Sequence, residues 1–250
     1  MAARILDPND KVQSGAAGDK ALAVVNSGIA LAGAAVAQHV GEPLAIAALT
    51  AAAQHFTRTL LGPILSNGLT DFVNDLAARI QRLEDEGKLR VDELLTNESF
   101  VEALGAATRL APFTLRDEKR TALRNAVLNS ALSRDMDALE QQIFFGFIER
   151  FTELHLIMLK LLKDPNAWPG INTAASAESQ NRVLRTLLTS GLPQLAPRPF
   201  LADQVWLELR SNNLVEGAES LDNWGEGSSL RRKRTTEFAD RFLAFISSPF

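Results

Sequence analysis

A nearly uncharged stretch near the start of the chain constrains its folding more than any other feature. Between Ala21 and Thr57 the only formally charged side chain is Glu42, and most other residues are Ala, Gly, Val, Leu or Ile. A Gly-Glu-Pro sequence around Glu42 is a turn signal, so the stretch predicts two apolar helices, at about 20–40 and 44–61, joined by a tight turn. Such a hairpin must be covered by protein or by lipid.

Small residues recur at helical spacing in this hairpin, where they would let two helix backbones approach closely. The first helix has about the length that a membrane-spanning helix needs, but its polar residues bring the expected insertion energy close to zero. Two interpretations therefore stay open: a hairpin buried in a soluble bundle, or one that meets a membrane or a partner protein. The residues expected at this contact are Gly28, Leu31, Gly33, Ala37, Gly41, Ile46 and Leu49.

The overall composition limits the classes of function. The formal net charge is -4 and there is no cysteine. A negative balance argues against general capture of nucleic-acid phosphates, and the lack of cysteine excludes disulfides and thiolate metal sites. The first residues do not show a basic segment followed by an apolar one, so no cleaved secretory signal is expected. The expected location is the cytoplasm, with peripheral contact to a membrane if the hairpin meets lipid.

Helical periodicity and capping residues continue through the first half of the chain. Thr70 is expected to cap a helix that ends at Gly87. Asn97 is expected to cap the next helix, and Thr114 the one after it. Further on, an apolar stripe contains Phe144, Phe145 and Phe147, which is wider than one helix face needs. Part of this stripe is therefore expected to be covered by another element or to form a subunit interface.

The last hundred residues predict the order of elements of a winged-helix domain. A short helix from Glu153 to Lys163, capped by Thr152, comes first. Helices, then two strands flanking a Gly-rich turn, and a closing helix follow, at 177–189, 200–211, 213–216, 229–235 and 236–246.

A basic run on the predicted wing, Arg231, Arg232, Lys233 and Arg234, is a candidate contact for phosphate or anionic lipid. The helix that would read DNA carries Asp203 and Glu208 against Arg210, which is unlike a groove reader. From residue 197 to 250 there are seven basic and eight acidic side chains, so the region has no positive excess. Nucleic acid is therefore the less favoured partner, and a protein-interaction module is the favoured interpretation.

Catalytic motifs are absent from the sequence. His39, His55 and His155 do not have the spacing of a metal-binding helix, and the chain has no nucleophile elbow, P-loop or dinucleotide fingerprint. The sequence therefore predicts a protein that is not an enzyme, without catalytic, cofactor-binding or metal-ligating residues.

Several runs between Asp71 and Pro165 form a recognisable pattern together with the apolar segment 21–61: RIQRLE at 79–84, RDEK at 116–119, LRNAVLNSA at 123–131, and FTELHL at 151–156 with LLKDP at 161–165. In this pattern the chain resembles a group of bacterial helical proteins related to the abortive-infection alpha family and a neighbouring uncharacterised family. The resemblance implies a bacterial accessory protein in anti-phage defence and carries over no catalytic residues.

Taken together, the sequence predicts a mainly α protein: a helical bundle with an Ala/Gly-rich apolar hairpin, followed by a small winged-helix-like domain. The expected divisions are a flexible N-terminus at 1–18, a bundle at 19–151 with the hairpin at 21–61, and the winged-helix-like domain at 152–250. The first functional hypothesis is a non-enzymatic anti-phage defence protein that senses or perturbs a membrane or recruits a partner protein. The alternatives are a winged-helix transcription regulator with an N-terminal oligomerisation bundle, and a structural scaffold or immunity-type binding protein. A protein partner or a homo-oligomer is expected, with a membrane surface as a further candidate.

Overall fold

The computed structural model of the chain describes residues 62–114, 116–133, 136–168, 171, 181–217, 220–222, 224–226 and 232–250, which are mainly helical. These residues belong to two compact units. The first contains residues up to Glu149 together with Ile246–Phe250, and the second is Arg150–Phe245. The sequence pattern predicts a division between 151 and 152, with residues 246–250 in the second domain. The predicted hairpin at 21–61 lies outside the described residues.

The first described helix, α1 (Gly62–Asp85), begins earlier than the sequence predicts. Thr70 lies inside α1, so its assignment as the capping residue was wrong. A Gly-Pro pair opens the helix instead, because proline is tolerated in the first turn, where its missing N–H has no partner to lose. The end of α1 is as predicted, since Gly87 has a φ of +69°, the left-handed conformation that glycine adopts without strain. The predicted inner face is also confirmed, with Phe72, Leu76, Ile80 and Leu83 all buried.

The next two helices are α2 (Glu98–Leu110) and α3 (Asp117–Leu132). Side-chain hydrogen bonds mark the start and the end of α2. Asn97 caps α2 as predicted, because its side-chain oxygen accepts from the N–H of Phe100 at 3.0 Å. Thr114 does not cap α3. Its hydroxyl donates to the carbonyl of Leu110 at 2.8 Å and so closes the end of α2 instead.

The core of the first unit includes the aromatic stripe on α4 (Ala138–Arg150). Phe144, Phe145 and Phe147 are all buried within a single chain. Of the two alternatives that the sequence leaves open, cover by another element of the same chain is thus sufficient, and a second subunit is not needed. Ile143, one residue earlier, is 48% exposed and marks the solvent side of α4.

The second unit contains four α-helices and two short strands among its described residues. In chain order these are α5 (Glu153–Lys163), β1 (Asn181–Val183), α6 (Leu184–Gly191), α7 (Pro199–Ser211), β2 (Trp224–Glu226) and α8 (Glu237–Phe245). The bounds of α5 and its capping residue Thr152 agree with the sequence prediction. β1 and β2 pair antiparallel, with Asn181 opposite Glu226.

The strand pairing differs from the predicted wing. Residues 181–183, expected to be helical, form β1, and the expected pairing of 213–216 with 229–235 is reduced to one bridge between Val215 and Thr235 in the described residues. The pairing does not continue past Thr235, because the next residue, Thr236, caps α8. The Thr236 hydroxyl accepts from the N–H of Ala239 at 3.1 Å and donates to the carbonyl of Asn213 at 2.8 Å. In the described residues this unit is mainly helical, without an extended wing.

Candidate functional site

The outer face of α7 exposes large apolar side chains. Phe200 is 86% exposed and Leu207 is 57% exposed, and their spacing of seven residues places them on one face, about 10 Å apart along the helix axis. Leu201 is exposed beside them. The opposite face is packed in the core, with Ala202, Val205, Trp206 and Leu209 at the three- and four-residue spacing of a buried helix face. The stripe of Phe200 and Leu207 is therefore fixed outward by the packing of the inner face.

Arg185 on α6 holds the N-terminal half of α7 in place. Its Nη2 lies 2.7 Å from Asp203 Oδ1 on α7, and its Nη1 donates to the carbonyl of Pro199 at 3.4 Å. The same guanidinium binds both carboxylate oxygens of Asp222, through Nε at 2.6 Å and Nη2 at 2.8 Å. Such two-pronged pairs are geometrically specific. Hydrogen bonding to Asp222 is the main reason why the pKa of Arg185 is raised.

The partner carboxyl, Asp222, titrates below its ordinary range because the Arg185 guanidinium hydrogen-bonds to it and lowers its pKa. A carboxyl whose pKa is lowered by folding stabilises the native state above its unfolded pKa, and this contribution is lost as the pH falls through the folded value. We therefore expect Asp222→Asn to be less stable than the parent near pH 7, with the difference shrinking as the pH falls through the lowered pKa of Asp222. Urea unfolding of both proteins across this range measures the effect. A difference that is the same at every pH would contradict it.

The acidic side chains of α7 are paired with neighbouring polar groups but stay partly exposed, Asp203 at 46% and Glu208 at 41%. Asp203 is paired with Arg185, and Glu208 accepts from Gln204 at 3.1 Å and lies 2.9 Å from the His155 ring. The pKa of Glu208 is lowered, first by the Gln204 hydrogen bond and then by His155. Arg198, just before α7, is exposed. The surface around Phe200 thus combines apolar side chains with the exposed Arg198 and with the Asp203 carboxylate that Arg185 binds.

The basic run contributes less exposed charge than its sequence indicates. Arg232 is exposed, and Lys233 forms an ion pair with Asp240. Arg234 is only 9% exposed, and burial is the main reason why its pKa is lowered, with the charge of Arg232 adding to the effect. Its backbone N–H donates to the carbonyl of Leu162 at 2.9 Å. The Arg234 side chain is therefore largely packed in the fold, while Arg231 lies outside the described residues.

His155 is buried at the start of α5, in a set of contacts that the sequence analysis did not foresee. Its Nδ1 lies 3.2 Å from the N–H of Thr152 and 2.8 Å from the Thr152 hydroxyl. Because the backbone N–H can only donate, Nδ1 accepts, and the proton of the neutral ring lies on Nε2, which faces Glu208. Phe151 stacks on the ring with centroids 4.8 Å apart.

A hydroxyl, an imidazole and a carboxylate thus follow one another in the order Thr152, His155 and Glu208, which is also the order found in hydrolytic triads. In this chain the Nδ1 lone pair is shared with a fixed backbone donor at the helix N-terminus. The ring therefore serves as the N3 partner of a capping box, a position normally taken by Glu or Gln. The pattern Thr-x-x-His could have indicated this contact, but the pairing with Glu208 is not local in sequence.

A cavity of about 200 Å³ lies between α1 and α3 in the first unit. Arg124 contacts Asp75 and donates to the Thr121 hydroxyl at 2.8 Å, while Arg120 donates to the carbonyl of Gly68 at 2.8 Å. Both arginines are thus engaged by the fold. The described lining contains neither a nucleophilic side chain nor a histidine; it consists of Asp71, Phe72, Asp75, Asp117, Arg120 and Arg124.

Some of the predicted contact residues lie outside the residues that the structure describes. The seven hairpin residues, Gly28, Leu31, Gly33, Ala37, Gly41, Ile46 and Leu49, are not among the described residues. None of the helices that the structure describes is long and apolar enough to span a bilayer. In the same part of the chain, no three His, Cys, Asp or Glu side chains are grouped to hold a metal ion.

The geometry defines a mainly helical protein of two compact units, with an exposed apolar stripe on a helix of the second unit. Comparison of the chain with protein-family models, with curated proteins and with solved structures found no match.

Proposed function

We propose that this chain is a non-enzymatic binding protein that recruits a partner protein through the outer face of α7. The observation that carries the proposal is the outward position of Phe200 and Leu207, which are 86% and 57% exposed. Large apolar side chains grouped on one rigid helix face are typical of protein interaction sites, where aromatic anchors supply much of the binding energy. The packed inner face of α7 and the contacts of Arg185 with Asp203 and Pro199 keep this surface in one orientation before binding.

The charges around the stripe indicate the chemistry of the partner. The carboxylates of α7 are engaged with Arg185, His155 and Gln204, and Arg198 is exposed at the start of the helix. A complementary surface would present an apolar groove or helix face with a carboxylate at one end. The face offers apolar side chains where a DNA reader offers Arg, Lys, Asn or Gln, so we favour a protein partner over DNA.

The biological setting that we propose is anti-phage defence of the abortive-infection type. Its support is the resemblance of residues 71–165 to the abortive-infection alpha family. A winged-helix arrangement of residues 152–250 is part of the same proposal. The bridge between Val215 and Thr235, followed by the closing helix α8, is consistent with the base of a short wing.

A membrane role for the chain is the second candidate, because residues 21–57 carry only one charged side chain, Glu42. This role would depend on residues of the apolar segment 21–61, which are not part of α7. Leu31→Lys should weaken pelleting with vesicles of neutral or anionic lipid, since a charge at the centre of a membrane segment costs about 2.5 to 3.5 kcal/mol. A wild-type chain that does not pellet with either vesicle would reject the membrane role and leave the α7 proposal standing.

The α7 proposal is tested by photo-crosslinking in infected bacterial cells that express the chain. With p-benzoylphenylalanine at position 200, we expect one discrete protein adduct, and Leu207→Glu in the same chain should abolish it. Placing the same probe at Phe113, which is 64% exposed in the first unit, is the matched control and should not give this adduct.

The same variants link the adduct to function. Phe200→Glu should remove protection against phage, while Phe113→Glu should keep it, and both should keep the parental circular dichroism spectrum because the two side chains are exposed. Equal protection by wild type, Phe200→Glu and Phe113→Glu would reject the α7 surface as the binding site. An identical adduct from the probes at positions 200 and 113 would reject it as well.

A further inference from the structure

A second exposed apolar surface lies on the outer face of α4, in the first unit. Leu139 is 68% exposed, and Ile143 is exposed one turn later. Gly146 follows three residues after Ile143, so the three positions share one face and cover about 10 Å of the helix axis. The buried rings of Phe144 and Phe145 hold the opposite face in the core. Leu139, Ile143 and Gly146 are called the α4 outer face.

The packing of the chain does not explain the glycine in the α4 outer face. Apart from the backbone of its own helix, a Cβ atom placed on Gly146 would have no neighbour within 4 Å among the described residues. Glycine inside a helix is less favourable than alanine, because it loses more backbone freedom on folding. On an exposed apolar face, however, it leaves a notch in which a bulky side chain from outside can contact the helix backbone.

The apolar stripe of α7 has the size and the spacing that fit this notch. Phe200 and Leu207 are seven residues apart, as are Leu139 and Gly146, so both pairs span about 10 Å of a helix axis. In an antiparallel crossing of the two helices, the Phe200 ring lies over Gly146 and Leu207 lies beside Leu139. Large side chains of one helix then fill gaps on the other, which is how helix surfaces pack.

Charges at the ends of the two surfaces are complementary in the same orientation. Arg198 lies just before the α7 stripe and Glu149 just after the α4 outer face, so the antiparallel crossing brings these two exposed side chains together. Lys119 binds the main-chain carbonyl of Glu149 at 3.0 Å, and the neighbouring Arg150 contacts Asn212 of its own chain at 3.4 Å. An ion pair at the edge of an interface fixes orientation more than it adds affinity.

We propose that the α7 stripe of one copy of this chain docks on the α4 outer face of a second copy. The inference rests on the proposed function of α7 and names its partner, since the α4 outer face is an apolar helix face with a carboxylate at one end. Each copy carries both surfaces. Two copies can therefore make the contact twice around a two-fold axis, or more copies can join head to tail.

The first experiment mixes two variants that are each unable to make the contact. Phe200→Glu alters the α7 stripe and Ile143→Asp the α4 outer face, and both positions are exposed, so both variants should fold. In analytical ultracentrifugation each variant alone should associate roughly tenfold more weakly than wild type, or less. An equimolar mixture should recover a dimer, because it keeps one intact pair of surfaces. Phe113→Glu is the matched control and should associate like wild type.

This experiment rejects the proposal in two ways. If Ile143→Asp alone associated like wild type, the α4 outer face would not be the acceptor. If the mixture stayed monomeric, the two surfaces would not bind each other. A wild-type chain that is monomeric at every concentration would also overturn the proposal.

Gly146→Leu separates docking in the notch from general apolar association. The substitution adds apolar surface at an open helical position, so non-specific association would become stronger. Docking of Phe200 on the notch instead predicts roughly tenfold weaker association, because the leucine side chain occupies the place of the ring. Unchanged or stronger association of Gly146→Leu would overturn the proposed geometry.

Charge reversal tests the orientation of the two helices. Arg198→Glu and Glu149→Arg should each weaken association by up to about fivefold, the scale of an exposed ion pair. The two substitutions combined in one chain should restore association, because the pair then forms with opposite sign. Equal loss in the single variants and no recovery in the combination would reject the antiparallel crossing.

Crosslinking from position 200 identifies the occupant and separates this inference from the proposed function. With the probe in one tagged copy, we expect an adduct of twice the chain mass, which Ile143→Asp in the other copy should abolish. An adduct with a different protein, unchanged by Ile143→Asp, would reject the second copy and keep the α7 surface as a binding site. A crosslink within one chain would mean that the chain's own residues cover the stripe, and would reject the second copy too. The proposed function itself fails only if Phe200→Glu protects against phage as well as wild type.

Discussion

Replacing Phe145 with Asp is expected to unfold the first unit. Phe145 is only 6% exposed, and removing a buried phenylalanine side chain costs about 3–5 kcal/mol in typical cores. An aspartate at this position adds the cost of an unpaired buried charge. Because a whole domain is usually stable by only about 5–15 kcal/mol, the sum is comparable with the total stability. Loss of the cooperative melting transition in circular dichroism is the expected measurement.

The neighbouring residue supplies the control for this prediction. Ile143 lies on the same helix and is 48% exposed, so Ile143→Asp should lower the melting temperature by a few degrees at most. If Phe145→Asp melted at the parental temperature, the assignment of Phe145 to the core would be wrong. If both variants unfolded, the cause would be the helix as a whole and not the burial of one ring.

His155→Ala is expected to destabilise the second unit by about 2–4 kcal/mol. The substitution removes the acceptor for the Thr152 N–H, whose loss alone typically costs about 1 kcal/mol at a helix N-terminus. It also leaves a cavity beside Phe151, which stacks on the ring at 4.8 Å. Urea denaturation followed by circular dichroism measures the change.

His155→Gln separates the two causes. Glutamine at the third helical position can accept from the N–H of Thr152, as in a capping box, but it cannot stack on Phe151. We expect this variant to recover roughly 1 kcal/mol of the loss in His155→Ala. Equal stability of the two variants would mean that the ring acts through packing and its contact with Glu208, and not through the cap.

Local signals in the sequence were sufficient where a single side chain decides the structure. Asn97 caps α2, Thr152 precedes α5, and Gly87 ends α1, all as predicted. These features depend on residues within about one helical turn, so their chemistry can be read along the chain. Where two local signals competed, the prediction of the capping residue was wrong. Thr114 donates to Leu110 in the preceding helix instead of capping α3, and Thr70 lies inside α1 because that helix already begins at Gly62.

Contacts between residues far apart in the sequence could not be predicted from such local signals. Arg185 joins Asp203 and Asp222, and His155 meets Glu208, across separations that no helical or strand period links. Likewise, a run of four basic residues in the sequence predicts one charged surface, yet Arg234 is only 9% exposed. Side-chain accessibility depends on what packs against a residue, which local spacing does not specify.

The sequence by itself determined the helical character of the described chain, the bounds of α5 and the apolar face of α1. Helix propensity, caps and the 3.6-residue period are properties of neighbouring residues. Only the tertiary structure decided that Phe144, Phe145 and Phe147 point into the core of one chain while Phe200 and Leu207 face solvent. Both sets are apolar side chains on helices, and burial distinguishes them because it depends on which other elements the fold brings against each face.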